Sequence, residues 1–338
     1  MTPTAPLALA TRGLRKSYGS RLALDGLDLS VPSGVVYGFL GPNGAGKTTT
    51  MRLLTGLLHP DAGSIELLGS PFRRGDRQRL FDVGALVEAP SFYPYLSGRR
   101  NLQALAASGA PVPRGRIEEL LELVGLRERA GDKVSGYSLG MKQRLGIAGA
   151  LLSDPKLLLL DEPANGLDPA GIVAMRETLR HLASSGKTVF VSSHLLAEIQ
   201  VLADVVGIIA AGKLVREGTL ETLLTEQGVV RVRVPRPEAE RARAVLAPLA
   251  RVDAGEAAAV SAGVSAADAW LAVHLEPARA AEVNRALAGA GIYASGLESG
   301  TDLELLFLEL TRGDGAGSHE GTFGGIQTPG EPHDGGAS

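Results

Sequence analysis

The chain has 338 residues, of which 44% are hydrophobic and 21% are charged, so it can bury a sizeable core and is not a disordered protein. Thirty-four basic and 37 acidic residues give a formal net charge of −3, which argues against a surface dedicated to nucleic acid. The lack of cysteine excludes disulfides, thiolate zinc sites and cysteine nucleophiles, and no apolar run reaches the roughly 20 residues that span a bilayer. The first ten residues also lack the pattern of a signal peptide, so we expect a cytoplasmic protein.

Charge and glycine content divide the chain into three segments. Residues 1–225 carry 25 basic and 21 acidic groups, whereas residues 226–312 carry 9 and 12. The last segment, 313–338, contains nine glycines and no Lys or Arg, and it has almost nothing apolar to bury. We therefore predict a large domain over 7–225, a small domain over 226–312 and a disordered tail over 313–338.

Short apolar runs alternate with longer helical patterns through the large domain. Strands are predicted at 35–40, 157–160 and 188–191, and helices at 47–57, 117–124, 139–152 and 172–183. This alternation predicts an α/β fold in which helices cover a largely parallel sheet.

The small domain shows a different order of elements. Strands are predicted at 229–234, 269–275 and 292–296, and helices at 238–249, 278–288 and 303–310. We expect a small α+β domain here.

The strongest local motif is a phosphate loop, Gly41-Pro42-Asn43-Gly44-Ala45-Gly46-Lys47-Thr48-Thr49, between a predicted strand and a predicted helix. Its glycines let successive backbone N–H groups point inward, and the helix N-terminus adds positive potential. Lys47 is placed to reach the β- and γ-phosphates of a nucleotide, and the Thr48 hydroxyl is a ligand for Mg²⁺.

A second motif follows the apolar run Leu157-Leu158-Leu159-Leu160. Four leucines fit a strand buried on both faces of a parallel sheet. Asp161 would then emerge at the carboxyl end of that strand, beside the phosphate loop, as a group for the Mg²⁺ shell. Glu162 follows directly and is a candidate general base for the attacking water.

Further motifs occur in the order found in one protein family. They are Tyr18 in Lys16-Ser17-Tyr18-Gly19, Ser138 and Gly140 in Tyr137-Ser138-Leu139-Gly140-Met141, Asp168 in Asn165-Gly166-Leu167-Asp168, and His194 in Ser192-Ser193-His194. Together with the phosphate loop and the Asp161-Glu162 pair, these motifs make residues 7–225 resemble the ATP-binding cassette ATPases, the motor subunits of ABC transporters.

The resemblance implies a P-loop ABC-type domain with a helical signature subdomain that binds ATP and Mg²⁺ and hydrolyses ATP. It assigns catalysis to Lys47, Glu162 and His194, and adenine stacking to Tyr18. It also implies a head-to-tail homodimer, in which Ser138 and Gly140 contact the nucleotide held by the other copy. Without the resemblance, Ser138 is equally well explained as a helix cap, and His194 is better explained as a structural or surface histidine.

The chain departs from the family pattern at two places. The signature is usually L-S-G-G-Q, but Leu139 replaces its first glycine and Met141 its glutamine. Glu88 stands where the family usually has glutamine, and a carboxylate is the stronger Mg²⁺ ligand. We expect Glu88 near the nucleotide and its metal, the alternative being an ordinary exposed acid.

The segment Glu88-Ala89-Pro90-Ser91-Phe92-Tyr93-Pro94 is similar to the subfamily that exports bacitracin- and lantibiotic-type peptides and other drugs. This resemblance implies a separately encoded permease, with the chain bound at the inner face of the cell membrane and no nucleic acid as partner. The competing hypotheses are a cassette protein acting on ribosomes or DNA and an ATPase of a nutrient importer.

Overall fold

The structure is a computed structural model that describes residues 6–109, 111–226, 228–255 and 268–301. The predicted helix at 303–310 and the predicted tail at 313–338 lie outside these residues. Among the described helices, none combines the length and the apolar character that crossing a membrane requires.

The strands of the described residues are, in chain order, β1 (Leu7–Tyr18), β2 (Arg21–Pro32), β3 (Val36–Leu40), β4 (Ala62–Leu67), β5 (Ser70–Pro71), β6 (Val83–Leu86), β7 (Leu157–Asp161), β8 (Thr188–Ser193), β9 (Val205–Ala210), β10 (Lys213–Thr219), β11 (Gly228–Pro235), β12 (Val252–Gly255), β13 (Asp268–His274) and β14 (Gly296–Thr301). The helices are α1 (Lys47–Leu54), α2 (Gly98–Ser108), α3 (Arg116–Leu123), α4 (Leu139–Ala150), α5 (Pro169–Ser184), α6 (Leu196–Leu202), α7 (Leu220–Glu226), α8 (Ala239–Leu246) and α9 (Ala280–Gly289).

A six-stranded sheet in the order β10-β9-β3-β8-β7-β6 forms the centre of the large domain. Its strands are parallel except for the edge strand β10, which pairs antiparallel with β9. Every residue of β3, β7 and β8 is buried, as continuous apolar strands covered on both faces should be. The α/β prediction is therefore confirmed, and the carboxyl ends of β3, β7 and β8 meet at one edge.

A second, antiparallel sheet in the order β2-β1-β4-β5 was not predicted from the sequence. The pairing of β1 with β2 contains four register shifts, so the inward-facing positions do not follow a regular alternation. One hydrophobic core lies between this sheet and the parallel sheet, where the rings of Tyr37 and Phe190 stack 5.1 Å apart. Another core lies between the parallel sheet and helices such as α4 and α5.

The described part of the small domain follows the order β11-α8-β12-β13-α9-β14, with an antiparallel sheet in the order β12-β13-β11-β14. This is the ferredoxin-like arrangement. Val230, Val232 and Val234 alternate toward a core that is separate from those of the large domain. With these separate cores as support, we propose that the two domains divide near residue 226.

The predicted strand at 292–296 is wrong. The N–H of Ile292 donates to the carbonyl of Leu287, and Gly291 has a positive φ of 72°, so the chain is still leaving α9. Ile292 packs into the core as the apolar contact of this helix end. The strand begins only at Gly296.

Candidate functional site

The phosphate loop connects the end of β3 to the start of α1, as the motif predicts. Gly46 has a φ of 114°, and a Cβ on it would lie 2.7 Å from Leu24 Cδ2. Gly41 is equally constrained, because a Cβ there would lie 2.5 Å from the carbonyl oxygen of Ile209. No side chain caps α1 at Gly46, so the first N–H groups of this helix face the loop and are available to an anion.

Lys47 points into the concave side of this loop. Its Nζ donates to the carbonyl oxygen of Gly41 at 2.7 Å and lies 3.3 Å from Oε1 of Glu162. The side chain is only 6% exposed. A buried ammonium group held by carbonyl oxygens and one carboxylate is well placed to exchange these partners for phosphate oxygens.

The two acidic residues at the end of β7 are held by a serine of the neighbouring strand β8. Ser192 Oγ donates to Oδ1 of Asp161 at 2.5 Å and accepts the N–H of Glu162 at 3.1 Å. Glu162 has a positive φ of 49°, a strained conformation for a residue other than glycine. Sequence reasoning gave Ser192 no role, although it stands two residues before His194 at a strand end.

Glu162 lies between two basic side chains. Its Oε2 is 2.6 Å from Nδ1 of His194, while Oε1 faces Lys47. The structure thus brings together the three residues to which catalysis was assigned. A carboxylate in this position is oriented on both sides, which is what a base that must meet one water molecule requires.

A cavity of about 610 Å³ lies over the phosphate loop, a volume that suits a nucleotide. Of the residues singled out in the sequence, it is lined by Tyr18, Asn43, Gly44, Gly46, Lys47, Thr48, Thr49, Glu162 and His194. Arg21 and Ala23 line it as well and were missed, because only the folding of β2 brings them there. Asn165 also lines it, although the sequence analysis assigned a role only to Asp168 of its motif. Tyr18 is 43% exposed, which leaves its ring available to a base. A cavity of similar volume near β4 and β5 shares none of these residues.

Asp161 fits a role in holding Mg²⁺. Its side chain is 6% exposed, and no basic side chain in the described part of the chain pairs with it. A buried carboxylate without a cation nearby is unfavourable, and Mg²⁺ is characteristically bound by one or two protein oxygens together with substrate phosphates. The described residues accordingly contain no group of three or more His, Asp or Glu that would hold a metal alone. Thr48 lines the cavity, whereas Asp161 does not and lies directly before Glu162, which does. The two residues suit a metal that arrives with a nucleotide.

Ser138, Gly140 and Asp168 do not line this cavity. Ser138 caps α4 by accepting the N–H of Met141 at 3.2 Å, and Asp168 caps α5 by accepting the N–H of Gly171 at 3.0 Å. Ser138 therefore caps α4, as the alternative explanation of this residue predicted. The cap at Ser138 leaves the N–H groups of Leu139 and Gly140 open to an external anion. In contrast, α5 begins with Pro169, which has no N–H, and its cap Asp168 carries a carboxylate.

Glu88 does not line the cavity either. Its carboxylate pairs with the guanidinium of Arg52 on α1, which raises the pKa of Arg52, and its side chain is 53% exposed. The phenol of Tyr18 also contacts Arg52. Glu88 is therefore connected to the nucleotide cavity through Arg52 and is not part of it in this structure.

Comparison with known proteins identifies the family. Residues 24–165 match the family model described as ABC transporter. The chain is 49% identical over 210 residues to the bacitracin transport ATP-binding protein BcrA of Bacillus licheniformis. This alignment covers 62% of this chain and 69% of that protein. It is 44% identical over 209 residues to the lantibiotic transport ATP-binding protein SrtF of Streptococcus pyogenes, covering 62% and 90%.

Solved structures agree with this assignment. An ATP-binding subunit of an ABC transporter superposes with a TM-score of 0.58 at 29% identity, over 64% of this chain and 91% of that one. CbiO1 of Clostridium perfringens, part of an ABC transporter complex, superposes with a TM-score of 0.59 at 25% identity, over 72% and 96%. The chain belongs to the ABC transporter family and is an ATP-binding subunit with ATPase activity.

Proposed function

We propose that this ATPase drives export of peptide antibiotics of the bacitracin and lantibiotic type through a separate membrane permease. The observation that carries this proposal is the 44–49% identity to ATP-binding proteins of bacitracin and lantibiotic transport. The Glu88 segment, which resembles that subfamily, supports the same substrate class. Such a subunit would be bound at the inner face of the cell membrane.

The geometry supports a specific division of roles during hydrolysis. Lys47 leaves Glu162 and binds the β- and γ-phosphates together with the N–H groups of the loop. Glu162, released on that side and still held by His194, accepts a proton from the attacking water. His194 orients this carboxylate through Nδ1, and its other ring nitrogen is left to contact the γ-phosphate. Bound Mg²⁺, held by Thr48 and Asp161, would supply further charge neutralisation at the phosphate oxygens.

We propose a head-to-tail homodimer for the active state. The support is that the open N-terminus at Ser138 does not line the chain's own cavity, although it is suited to an anion. In such a dimer Ser138 and Gly140 would contact the nucleotide of the second copy. Tyr18, Asn43 and the remaining phosphate-loop residues would hold the chain's own nucleotide.

The hydrolytic role is tested with Glu162→Gln. General-base assistance is worth about 10²–10⁴ in rate, so the variant should hydrolyse ATP at least about tenfold more slowly and still bind it. Glu177→Gln, which removes an exposed acid of α5, is the matched control and should keep the wild-type rate. Turnover and nucleotide binding are measured on purified protein. A near-normal rate for Glu162→Gln would place the base elsewhere.

Glu88 is proposed to link nucleotide binding to the permease. The loop after it carries Tyr93, which is 55% exposed and packs against Tyr95 at 5.9 Å between ring centroids, whereas Phe92 packs against the core. Exposed paired aromatic rings are suited to contact a partner. In the closed dimer we still expect Glu88 to approach the metal.

The test of this link compares two assays on the same variants. Glu88→Gln should reduce antibiotic resistance of cells that carry the whole transporter more than it reduces ATPase activity of the purified subunit. Glu66→Gln, at an exposed position of β4, serves as the control. If Glu88→Gln and Glu88→Ala both leave resistance and hydrolysis at wild-type levels, Glu88 is only a surface acid.

A further inference from the structure

The unusual leucine of the signature segment packs onto the loop that follows Glu162, the proposed general base. Cδ2 of Leu139 lies 2.2 Å from the position that a Cβ on Gly166 would occupy. In return, Cδ2 of Leu167 lies 3.2 Å from the Cβ position of Gly140. Each segment thus places a leucine over a glycine of the other.

The loop that Leu139 contacts is connected to Glu162 by backbone hydrogen bonds between residues three apart in the chain. The N–H of Asn165 donates to the carbonyl of Glu162 at 3.1 Å, and the N–H of Leu167 donates to that of Ala164 at the same distance. Gly166 lies between them with a φ of 74°, a conformation that favours glycine. A displacement of Glu162 is therefore passed to Gly166 over only four residues.

Leu139 contributes little to the core. Its side chain is 53% exposed, and it is not part of the hydrophobic cluster that includes Leu167 and Met141 at its margin. An exposed leucine at the first position of a helix gains little by burial, so core packing does not explain this contact.

We infer that Leu139 is a positioning residue that couples the two nucleotide sites of the dimer through each chain. The inference rests on the proposed head-to-tail dimer, in which Ser138 and Gly140 face the nucleotide of the second copy while Glu162 faces the chain's own. Packing of Leu139 on Gly166 makes the signature segment and the loop after Glu162 move together. Binding at one site then changes the second site, and this coupling must be reciprocal.

The experiment compares Leu139→Ala, Leu139→Met, Gly166→Ala and the double variant Leu139→Ala/Gly166→Ala. ATPase rate is measured against ATP concentration on purified full-length chain, and the Hill coefficient lies between about 1 and 2 for two sites. Affinity for a fluorescent ATP analogue is measured on each variant. Dimerisation is measured by size exclusion with ATP after each change is introduced into Glu162→Gln protein.

Leu139→Ala should lower the Hill coefficient to about 1 and reduce the maximal rate, with nucleotide affinity and dimerisation retained. Leu139→Met, which keeps a long apolar side chain, should retain wild-type cooperativity. Since Gly166→Ala disrupts the same contact, the double variant should be no worse than Gly166→Ala alone.

Three results of the kinetic assays would overturn the inference and leave the proposed function standing. They are wild-type cooperativity in Leu139→Ala, additive losses in the double variant, and wild-type protein whose Hill coefficient is already about 1. Loss of dimerisation in Leu139→Ala would also overturn it, because Leu139 would then act as an interface residue. Cells that carry the whole wild-type transporter and gain no resistance to bacitracin- or lantibiotic-type peptides are the separate result that contradicts the proposed function.

Discussion

Replacing Gly84 by alanine should push the signature helix away from the strand that leads to Glu88. Gly84 lies in β6 and is buried against the end of α4. A Cβ on it would lie 2.1 Å from the carbonyl oxygen of Ala150 and 2.8 Å from Cγ of Pro155. Ordinary contact begins near 3.4 Å, so helix and strand must separate by about 1 Å. A backbone carbonyl cannot rotate out of the way as a side chain can.

Overpacking of this kind costs typically about 1–3 kcal/mol. For a domain of this size, 2 kcal/mol corresponds to a fall in Tm of about 4–8 °C. Because α4 begins at the signature segment, ATPase activity should fall as well. Thermal unfolding followed by circular dichroism, with ATP turnover on the same samples, measures both effects.

Gly146→Ala is the matched control on the same contact. Its Cβ would meet Leu86 Cδ1 at 3.0 Å and Pro90 Cβ at 3.1 Å, which are side-chain atoms able to yield by a few tenths of an ångström. Alanine also gains about 0.5–1 kcal/mol over glycine in a helix interior. We expect a Tm within about 2 °C of the wild type. An unchanged Tm for Gly84→Ala, or equal losses in both variants, would refute this account of the packing.

Ser192→Ala removes the hydroxyl that bridges the two acidic residues at the end of β7, and it should lower the maximal ATPase rate about tenfold or more with little change in nucleotide affinity; an unchanged rate would show that the bridge is dispensable. Tyr37→Phe deletes the buried phenolic hydroxyl that donates to Oε1 of Glu217 at 2.6 Å. Urea titrations should show a free energy of unfolding about 1–3 kcal/mol lower than that of the wild type. A free energy of unfolding equal to the wild-type value would contradict this. Lys187→Met removes the amine that lowers the pKa of Asp154 below its ordinary 3.8. This exposed ion pair contributes less than about 1 kcal/mol to stability. The contribution is present at neutral pH and is lost as the pH falls through the lowered pKa of Asp154. The Tm difference from the wild type should therefore shrink in acid, and a difference that is constant from pH 7 to below 3.8 would contradict it.

The elements that the sequence predicted well are those in which one local rule decides the structure. The strand 157–160 and the loop after residue 40 could be recognised because a fully apolar run and a glycine-rich turn each permit one conformation. The motif order also indicated the nucleotide site and its family. The contacts of Lys47, Glu162 and His194 followed, since parallel strands end at one edge of their sheet.

Other features depend on which segments become neighbours in space. The β1–β2 sheet escaped prediction because its bulges break the alternation, and Arg21 reaches the nucleotide cavity only through that sheet. Ile292 resembles a strand residue but serves as the apolar cap of α9, since Gly291 turns the chain beneath it.

Sequence alone therefore determined the α/β class, the phosphate loop and the acidic pair at the strand end, because these are set by residues close together in the chain. Only the tertiary structure decided that Ser192 holds that pair, that Glu88 faces Arg52, and that Leu139 lies over Gly166. Each of these contacts joins segments more than 20 residues apart. Their partners are chosen by strand order and helix packing, which no local pattern specifies.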